Sequence, residues 1–519
     1  MIYRTIGMAV LALPAWFLCM RYNVHMLQLN GYKSGEHLRR TLKTAGRQWL
    51  LMLVTVIGAV RLVFHPLWLD IVCACCLLFT AFIYNLMRKA KAKKKLVYTA
   101  RVKRLLTAHT VLCIVIPLLI WFLWGLDHVN GGILLVVGLQ WILLILSNLL
   151  MKPAEKAVGN HYIRDAKRKL RDANMTVVGI TGSYGKTSVK FYLEKLLSVK
   201  YQVLVTPESF NTPMGVVRTI RERLRPGHEI FLCEMGARHV GDIKEICDIV
   251  HPRHGIITSV GPQHLETFFT LENVKNTKFE LADALPADGM LFLNGDNEAI
   301  LSKAPEYPGA ILYHAGGASD GYRAEDIKVS SLGTEFTVVT PEGERQSFST
   351  RLVGGHNVIN VVGAIAAANR LGVPLSDLIV PVRRLEPVEH RMQLIERGAV
   401  TIIDDAYNSN PVGSKAAVET LAMFDGVRIL ITPGMVELGE KEEEFNRAFG
   451  GYAAKCCDYI CLVGRKRAVP IAEGAKAAGF PEEKLKIFDR LNDAVSFAYT
   501  APGEGRKYIL LENDLPDNY

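Results

Sequence analysis

The chain reads as an α/β protein in three parts. A helical transmembrane N-terminal domain comes first, then a doubly wound parallel-sheet domain built on a P-loop, then a Rossmann-like α/β domain. Three observations lead there. Apolar residues crowd the first 151 positions in runs near membrane-spanning length. A strand-like run, a glycine loop and a helix-like run follow one another from Met175 to Leu197. Beyond them, short apolar runs alternate with helical segments to the C-terminus. A length of 519 residues suits about three domains, and the composition changes place them at 1–151, 152–384 and 385–519.

The candidate spans cover roughly 6–20, 48–64, 67–87, 105–126 and 133–151. The first is short, contains Pro14 and has no convincing cleavage site of small residues after it, so it reads as a signal-anchor or a re-entrant piece rather than a removable signal peptide. The second carries Arg61, a costly charge unless it snorkels or is paired within a bundle. Residues 88–104 hold nine Lys/Arg and no acid, and residues 21–47 hold six against one Glu. Loops 65–66 and 127–132 hold none. The positive-inside rule puts the basic loops, and with five spans everything from residue 152 onward, in the cytoplasm. With four spans only the N-terminus changes side. These loops supply much of the net charge of +10, so attraction to anionic headgroups explains it and no nucleic-acid partner is expected. His25 to Lys43 is amphipathic and suits the inner membrane surface, a plain connecting loop being the alternative. The ten cysteines form no disulfide framework. Cys456, Cys457 and Cys461 sit in a strand-like run, where small buried side chains are the simpler reading than a zinc site.

The soluble part opens with Thr181-Gly182-Ser183-Tyr184-Gly185-Lys186-Thr187-Ser188. Glycines let backbone N–H groups approach phosphate oxygens, and a helix N-terminus adds a favourable dipole. Lys186 is placed to neutralise β/γ-phosphates and Thr187 to reach Mg²⁺. The general P-loop pattern wants glycine where Ile180 stands, and an ordinary strand-to-helix turn is the competing reading. Val177–Ile180, Ile230–Glu234, Gly255–Ser259 and Met290–Leu293 read as buried parallel strands, with helices over Val189–Leu197 and Asn360–Leu371. Thr334 to Leu352 reads as a small antiparallel insertion. In the last part strands are expected near Val400–Asp404, Arg428–Thr432, Tyr459–Val463 and Tyr508–Leu511. A site at the strand C-terminal ends follows from this topology.

Further segments occur in a fixed order: Ser209-Phe210-Asn211-Thr212-Pro213-Met214-Gly215-Val216, Glu234-Met235-Gly236-Ala237, Gly261-Pro262-Gln263-His264-Leu265-Glu266, Leu293-Asn294-Gly295-Asp296-Asn297 and Gly355-His356-Asn357. Asp404-Asp405-Ala406-Tyr407-Asn408-Ser409-Asn410-Pro411 and Gly434-Met435-Val436-Glu437-Leu438-Gly439 follow. With the variant loop T-G-S-x-G-K-T, this order resembles the Mur ligase family, ATP-dependent amide ligases of bacterial cell-wall synthesis. The last two segments resemble its D-alanyl-D-alanine-adding branch. The likeness covers about residues 175 to 500.

The resemblance implies ATP and Mg²⁺ as cofactors and an acyl-phosphate route from carboxylate to amide. It implies Thr187 and Glu234 as metal ligands, a structural ion pair being the other reading of Glu234. It gives His264 a second-metal or γ-phosphate role, against plain capping or packing. Lys278 is the counterpart of a carbamylated, metal-binding lysine, with Lys275 as the competing choice and an ordinary solvated lysine the plain alternative. Asn294, His356 and Asn357 would contact the adenosine, Arg391 the nucleotide on domain closure, and Asp405 the region of the ribose. Asn211 and Thr212, with Asn408 and Asn410, fall on the substrate side, although such asparagines also cap turns. The partners implied are a carboxylate-bearing cell-wall precursor, an amino acid or dipeptide amine, and the lipid bilayer. The location implied is the bacterial cytoplasmic membrane, with the catalytic domains in the cytoplasm.

Two departures stand out. Membrane spans occupy the place of the UDP-sugar-holding domain, either as a tether or as the holder of a lipid-linked substrate. The branch's C-terminal Lys-Gly-Ser is replaced by Leu510-Leu511-Glu512-Asn513-Asp514-Leu515-Pro516. Growth of a glutamate polymer, or modification of a lipid-linked peptide, is therefore the alternative chemistry. A membrane NTPase without ligase activity is the alternative class.

Overall fold

A computed structural model describes residues 2–43, 45–89, 95–207, 210–317, 320–407 and 409–514. Its contacts divide the described residues into two units, one up to residue 161 and the other from residue 162 onward.

The first unit is helical: α1 (Ile2–Leu29), α2 (Ser34–Lys43), α3 (Ala45–Val63), α4 (Leu67–Lys89), α5 (Ala100–Trp124), α6 (Val129–Gly138) and α7 (Gln140–Ala173). Among the described residues α1, α4 and α5 are each long and apolar enough to cross a membrane. The region of α6 and the start of α7, bent by 75°, makes a fourth span only if it counts as one. The five predicted spans are thereby reduced to three or four. The reason in α3 is length: its apolar stretch is only Trp49–Val63. The predicted first span is in turn too short, since α1 runs on to Leu29. Consequently the amphipathic stretch begins within α1, breaks at residues 30–33 and resumes in α2. Arg61 is paired: its Nε donates to Asp70 Oδ1 at 2.7 Å, and Asn130 Nδ2 donates to the same oxygen at 3.0 Å. That carboxylate lets a guanidinium stand 4% exposed among apolar helices.

The second unit starts with β1 (Thr176–Thr181), α8 (Lys186–Leu197), β2 (Val203–Val205), α9 (Pro213–Arg223), β3 (Ile230–Glu234) and α10 (Asp242–Val250). It continues with β4 (His254–Ile257), α11 (Leu265–Phe268), α12 (Leu271–Asp283), β5 (Leu291–Asn294), α13 (Glu298–Leu301) and β6 (Ile311–His314). Then come β7 (Tyr322–Ser330), β8 (Gly333–Val339), β9 (Arg345–Thr350), α14 (Gly355–Arg370) and α15 (Leu375–Arg383). Among the described residues these strands form one sheet in the order β2-β3-β1-β4-β5-β6-β7-β8-β9. It is parallel as far as β7, and β8 and β9 extend it antiparallel. Thus Thr334 to Leu352 is not a separate insertion but the edge of the main sheet. Val178, Ile180, Val189, Leu193, Phe292 and Ile365 belong to a buried core beneath that sheet.

A second sheet uses β10 (Gln393–Arg397), β11 (Val400–Asp405), β12 (Val427–Thr432), β13 (Tyr459–Val463), β14 (Leu485–Phe488) and β15 (Lys507–Glu512). The intervening helices are α16 (Pro411–Leu421), α17 (Glu442–Cys456), α18 (Arg465–Ala477) and α19 (Leu491–Thr500). The order is β10-β11-β15-β12-β13-β14, with β10 antiparallel. Register places Asp405 opposite Glu512. β15 lies between β11 and β12, so the three strands end side by side. Cys457 and Cys461 are buried, and no cluster of three metal-binding side chains occurs among the described residues.

Candidate active site

In the first sheet β1 lies between β3 and β4, and the loop after it opens where the strand order reverses. Gly182 has φ of 154° and a Cβ there would lie 2.1 Å from Thr258 Oγ1. Gly185 caps α8 in the left-handed region at φ 82°. Neighbours clamp the loop: Ser183 N donates to Ser259 O at 2.8 Å, Tyr184 N donates to Ser259 Oγ at 2.8 Å, and Thr181 Oγ1 donates to Met235 O at 2.9 Å. Lys186 Nζ folds back onto Gly182 O at 2.6 Å and Ser183 O at 3.2 Å. Ser188 stands one turn before Tyr192 and hydrogen-bonds it. Burial pulls the Lys186 amine down to about 8, and Arg391 adds to that effect while Glu234 opposes it. An ammonium so placed is stabilised by an incoming anion.

Glu234 ends β3 and is 1% exposed. Thr187 Oγ1 donates to its Oε1 at 3.1 Å and Asn211 Nδ2 to the same atom at 3.2 Å. On the other side the fully buried Lys190 Nζ lies 3.0 Å from Oε2 and donates to Thr206 O at 2.8 Å. Glu234 therefore does sit in an ion pair, yet one oxygen still faces the Thr187 hydroxyl. Thr212 is an N-cap: its hydroxyl accepts from Gly215 N at 3.3 Å.

His264 holds a left-handed backbone, φ 52°, just before α11. Its Nδ1 contacts the Glu437 carboxylate, which reaches it from the loop after β12 and has its own backbone at φ 64°. Burial lowers the imidazole pKa and Glu437 opposes the shift. Two non-glycine residues in that region, in contact with each other, mark strain held by surrounding structure. Lys278, on α12, is 1% exposed. Among the described residues its amine has no hydrogen-bond or carboxylate partner, and its nearest aromatic contact is Phe268 at 6.0 Å. Burial, then the charge of Lys186, draws it down to about 7. Lys275 is engaged elsewhere, 2.9 Å from Glu272.

Asn294 ends β5 and donates to Thr258 O at 2.8 Å. His356 begins α14, burial lowers it to about 4, and its Nδ1 is without a partner among the described residues. Asn357 ties Tyr192 Oη, at 3.2 Å, to Val353 O, at 2.8 Å. Arg391 stacks on Tyr407, 4.4 Å from its ring centroid. Burial raises Asp405 to about 6, and Arg391 counters this. Asn410 caps α16, its Oδ1 accepting from Val412 N at 3.1 Å and Gly413 N at 2.9 Å. Asn408 lies outside the described residues.

Three residues escaped the sequence reading. Lys190 looks like any helix lysine, although its place four residues after Lys186 puts it on the same face. Glu437 stood in a recognised segment without a role. Glu512, 1% exposed, joins two loops: one oxygen contacts Ser409 Oγ and the other accepts from Thr432 Oγ1 at 2.6 Å.

Residues 180–368 match the Mur ligase middle domain, and residues 390–511 match the domain described as Mur ligase, glutamate ligase domain. The chain is 31% identical over 314 residues to the UDP-N-acetylmuramoyl-tripeptide–D-alanyl-D-alanine ligase of Bacillus subtilis, covering 60% of this chain and 67% of that one. It is 30% identical over 368 residues to the ligase of the same name from Haemophilus influenzae, covering 70% and 78%. The chain belongs to the Mur ligase family.

Solved Mur ligases share the fold. MurF from Acinetobacter baumannii superposes with a TM-score of 0.63 at 24% identity, covering 70% of this chain and 78% of that one. MurF from Thermotoga maritima in complex with ADP gives 0.62 at 24%, covering 69% and 81%. Mur ligases are ATP-dependent and ADP-forming and use Mg²⁺, and as one of them this chain is such an enzyme. Its own residues fit those groups. A depressed lysine amine points into a glycine loop that a Cβ would obstruct, and a hydroxyl and a carboxylate oxygen, hard ligands of the kind Mg²⁺ takes, meet 3.1 Å apart.

Proposed function

We propose that this Mur ligase joins an amine, D-alanyl-D-alanine or a similar dipeptide, to a carboxylate-bearing cell-wall precursor at the cytoplasmic face of a bacterial membrane. The observation that carries the reading is the pairing of its relatives with its C-terminal loops. Those relatives are UDP-N-acetylmuramoyl-tripeptide–D-alanyl-D-alanine ligases, and the segments that begin at Asp404 and Gly434 follow β11 and β12, the two strands that flank β15. Residues 1–151 are the membrane domain, 152–384 the ATP-binding domain and 385–519 the acceptor-side domain. Helices of spanning length and the basic loops at 21–47 and 88–104 support the membrane location.

In this reading ATP supplies the phosphoryl group that makes the carboxylate oxygen a leaving group. Residues 181–188 cradle its phosphates, and Lys186 neutralises them. Thr187 and Glu234 would hold Mg²⁺, with Lys190 keeping Glu234 oriented. Lys278, once carbamylated, and His264 hold a second cation or the γ-phosphate. Asn294, His356 and Asn357 line the adenosine side, with Asp405 near the ribose. Arg391 reaches the nucleotide as the two sheets close, which excludes water from the activated carboxylate. Asn211, Thr212, Asn408 and Asn410 lie on the substrate side. The caps made by Thr212 and Asn410 favour positioning of loops over direct contact.

A second reading has one observation in its favour. Glu512 belongs to the segment that stands in place of the branch's Lys-Gly-Ser, and it is buried between Ser409 and Thr432. An acidic group in that segment suits a different substrate, such as a lipid-linked peptide. The test is ADP release by detergent-purified protein. UDP-muramoyl-tripeptide plus D-Ala-D-Ala should stimulate it and yield the pentapeptide in mass spectra. Stimulation only by membrane lipid extract with amino acids or dipeptides would replace the first reading by the second.

A further inference from the structure

Many basic side chains of this unit find carboxylates. Arg323 and Arg345 share Glu325, and Arg370 reaches Glu342 at 2.5 Å. Four do not. Among the described residues Lys195, Arg351, Arg383 and Arg384 have no ion-pair partner, yet all four wall one cavity of about 570 Å³. They come from separate elements: Lys195 from α8, Arg351 from just beyond β9, and Arg383 and Arg384 from the end of α15. The buried Leu385 contributes apolar wall, and Glu386 is its one acid. Four cations and one carboxylate leave the wall with a local charge of +3. Like charges gathered in one concavity repel, and Glu386, Glu194 beside Lys195 and the carbonyl end of α15 offset them only in part.

We propose that this cavity binds a diphosphate group. Its volume lies in the range of about 300–1,000 Å³ typical of small-molecule sites. Three guanidinium forks suit phosphate oxygens, which they grip in pairs. A diphosphate also brings about the −2 to −3 charge that the wall lacks, where a single carboxylate would not. The site is separate from the glycine loop. Lys195 follows Lys186 by nine residues of one helix, roughly 13 Å along its axis. Diphosphate chemistry has two sources, a nucleotide sugar or a lipid carrier, and the cavity accepts the feature they share. This inference does not rest on ligase activity, because it concerns binding at a different place.

The experiment uses the full-length chain carrying Lys186→Ala, so that the loop does not compete. Inorganic pyrophosphate and a polyprenyl diphosphate in micelles are titrated separately by calorimetry. Saturable binding of either is expected, at least tenfold weaker after Arg383→Glu with Arg384→Glu, and likewise after Arg351→Glu alone. It should also weaken with added salt. Binding of both probes points to a soluble nucleotide-linked ligand, and binding of the lipid alone to a carrier. Failure of both to bind, or equal affinity in the charge-reversed variants, overturns the proposal. ADP release by the chain with Lys186 intact reports separately on the ligase reading.

Discussion

Lys278 is the residue whose state matters most and whose surroundings say most. An amine 1% exposed, with no partner among the described residues and drawn down to about 7, is substantially neutral near pH 7. Only a neutral amine captures carbon dioxide. We therefore expect ¹³C-bicarbonate to give a carbamate carbon signal that grows as pH rises through about 7 and vanishes in Lys278→Ala. Turnover of that variant should fall by roughly 10²-fold, the scale of losing one charged group at a phosphoryl site. Full turnover without the signal would remove the role. Glu512 makes a pH prediction of opposite kind. Burial raises it to about 7 from an ordinary 4.5, with the Ser409 and Thr432 hydroxyls opposing and Asp405 adding. A raised carboxyl contributes stability that is complete below its unfolded value and lost as pH climbs through the folded one. The melting temperature of Glu512→Gln should thus gain on the parent between pH 5 and pH 8. An unchanged gap would show that Glu512 is ionised throughout.

At the scale of elements, the loop between β1 and α8 depends on its backbone. Alanine at Gly182 meets Thr258 Oγ1 at 2.1 Å in a conformation that side chains rarely adopt. Strain of about 1–3 kcal/mol is expected from the backbone alone. Gly182→Ala should weaken ADP binding at least tenfold in calorimetry, and unaltered affinity would deny the loop its role. This loop was legible because glycine spacing is a local signal. So were Ile230–Glu234 and Tyr459–Val463, continuous apolar runs buried on both faces. β10, Gln393–Arg397, was not, since its half-exposed polar residues carry no such pattern. The Lys190–Glu234 pair was hidden for another reason. A lysine declares its burial only when the distant strand end that neutralises it is in place. The closeness of Glu437 to His264, 173 positions apart in sequence, is invisible for the same cause.

For the whole molecule, the composition shift near residue 151 was legible, but the number of spans was not. Hydropathy does not show that the helix carrying the second apolar run ends at Val63, or that the chain bends by 75° between α6 and α7. The full chain is expected to enter the detergent-rich phase of a two-phase partition. Residues 162–519 alone, which keep both buried sheets and their cores, should stay in the aqueous phase and still bind ADP. Full-length protein in the aqueous phase would contradict membrane anchoring.

If ATP is spent on activating a carboxylate, oxygen from that carboxylate leaves with the phosphate. The decisive experiment uses a precursor whose reacting carboxylate carries ¹⁸O, added with ATP and the amine that stimulates ADP release. One ¹⁸O is expected in the inorganic phosphate for each amide formed, and neither product in Lys186→Ala. Phosphate free of label, released without amide, would mean that water is the acceptor and that the chain is an NTPase.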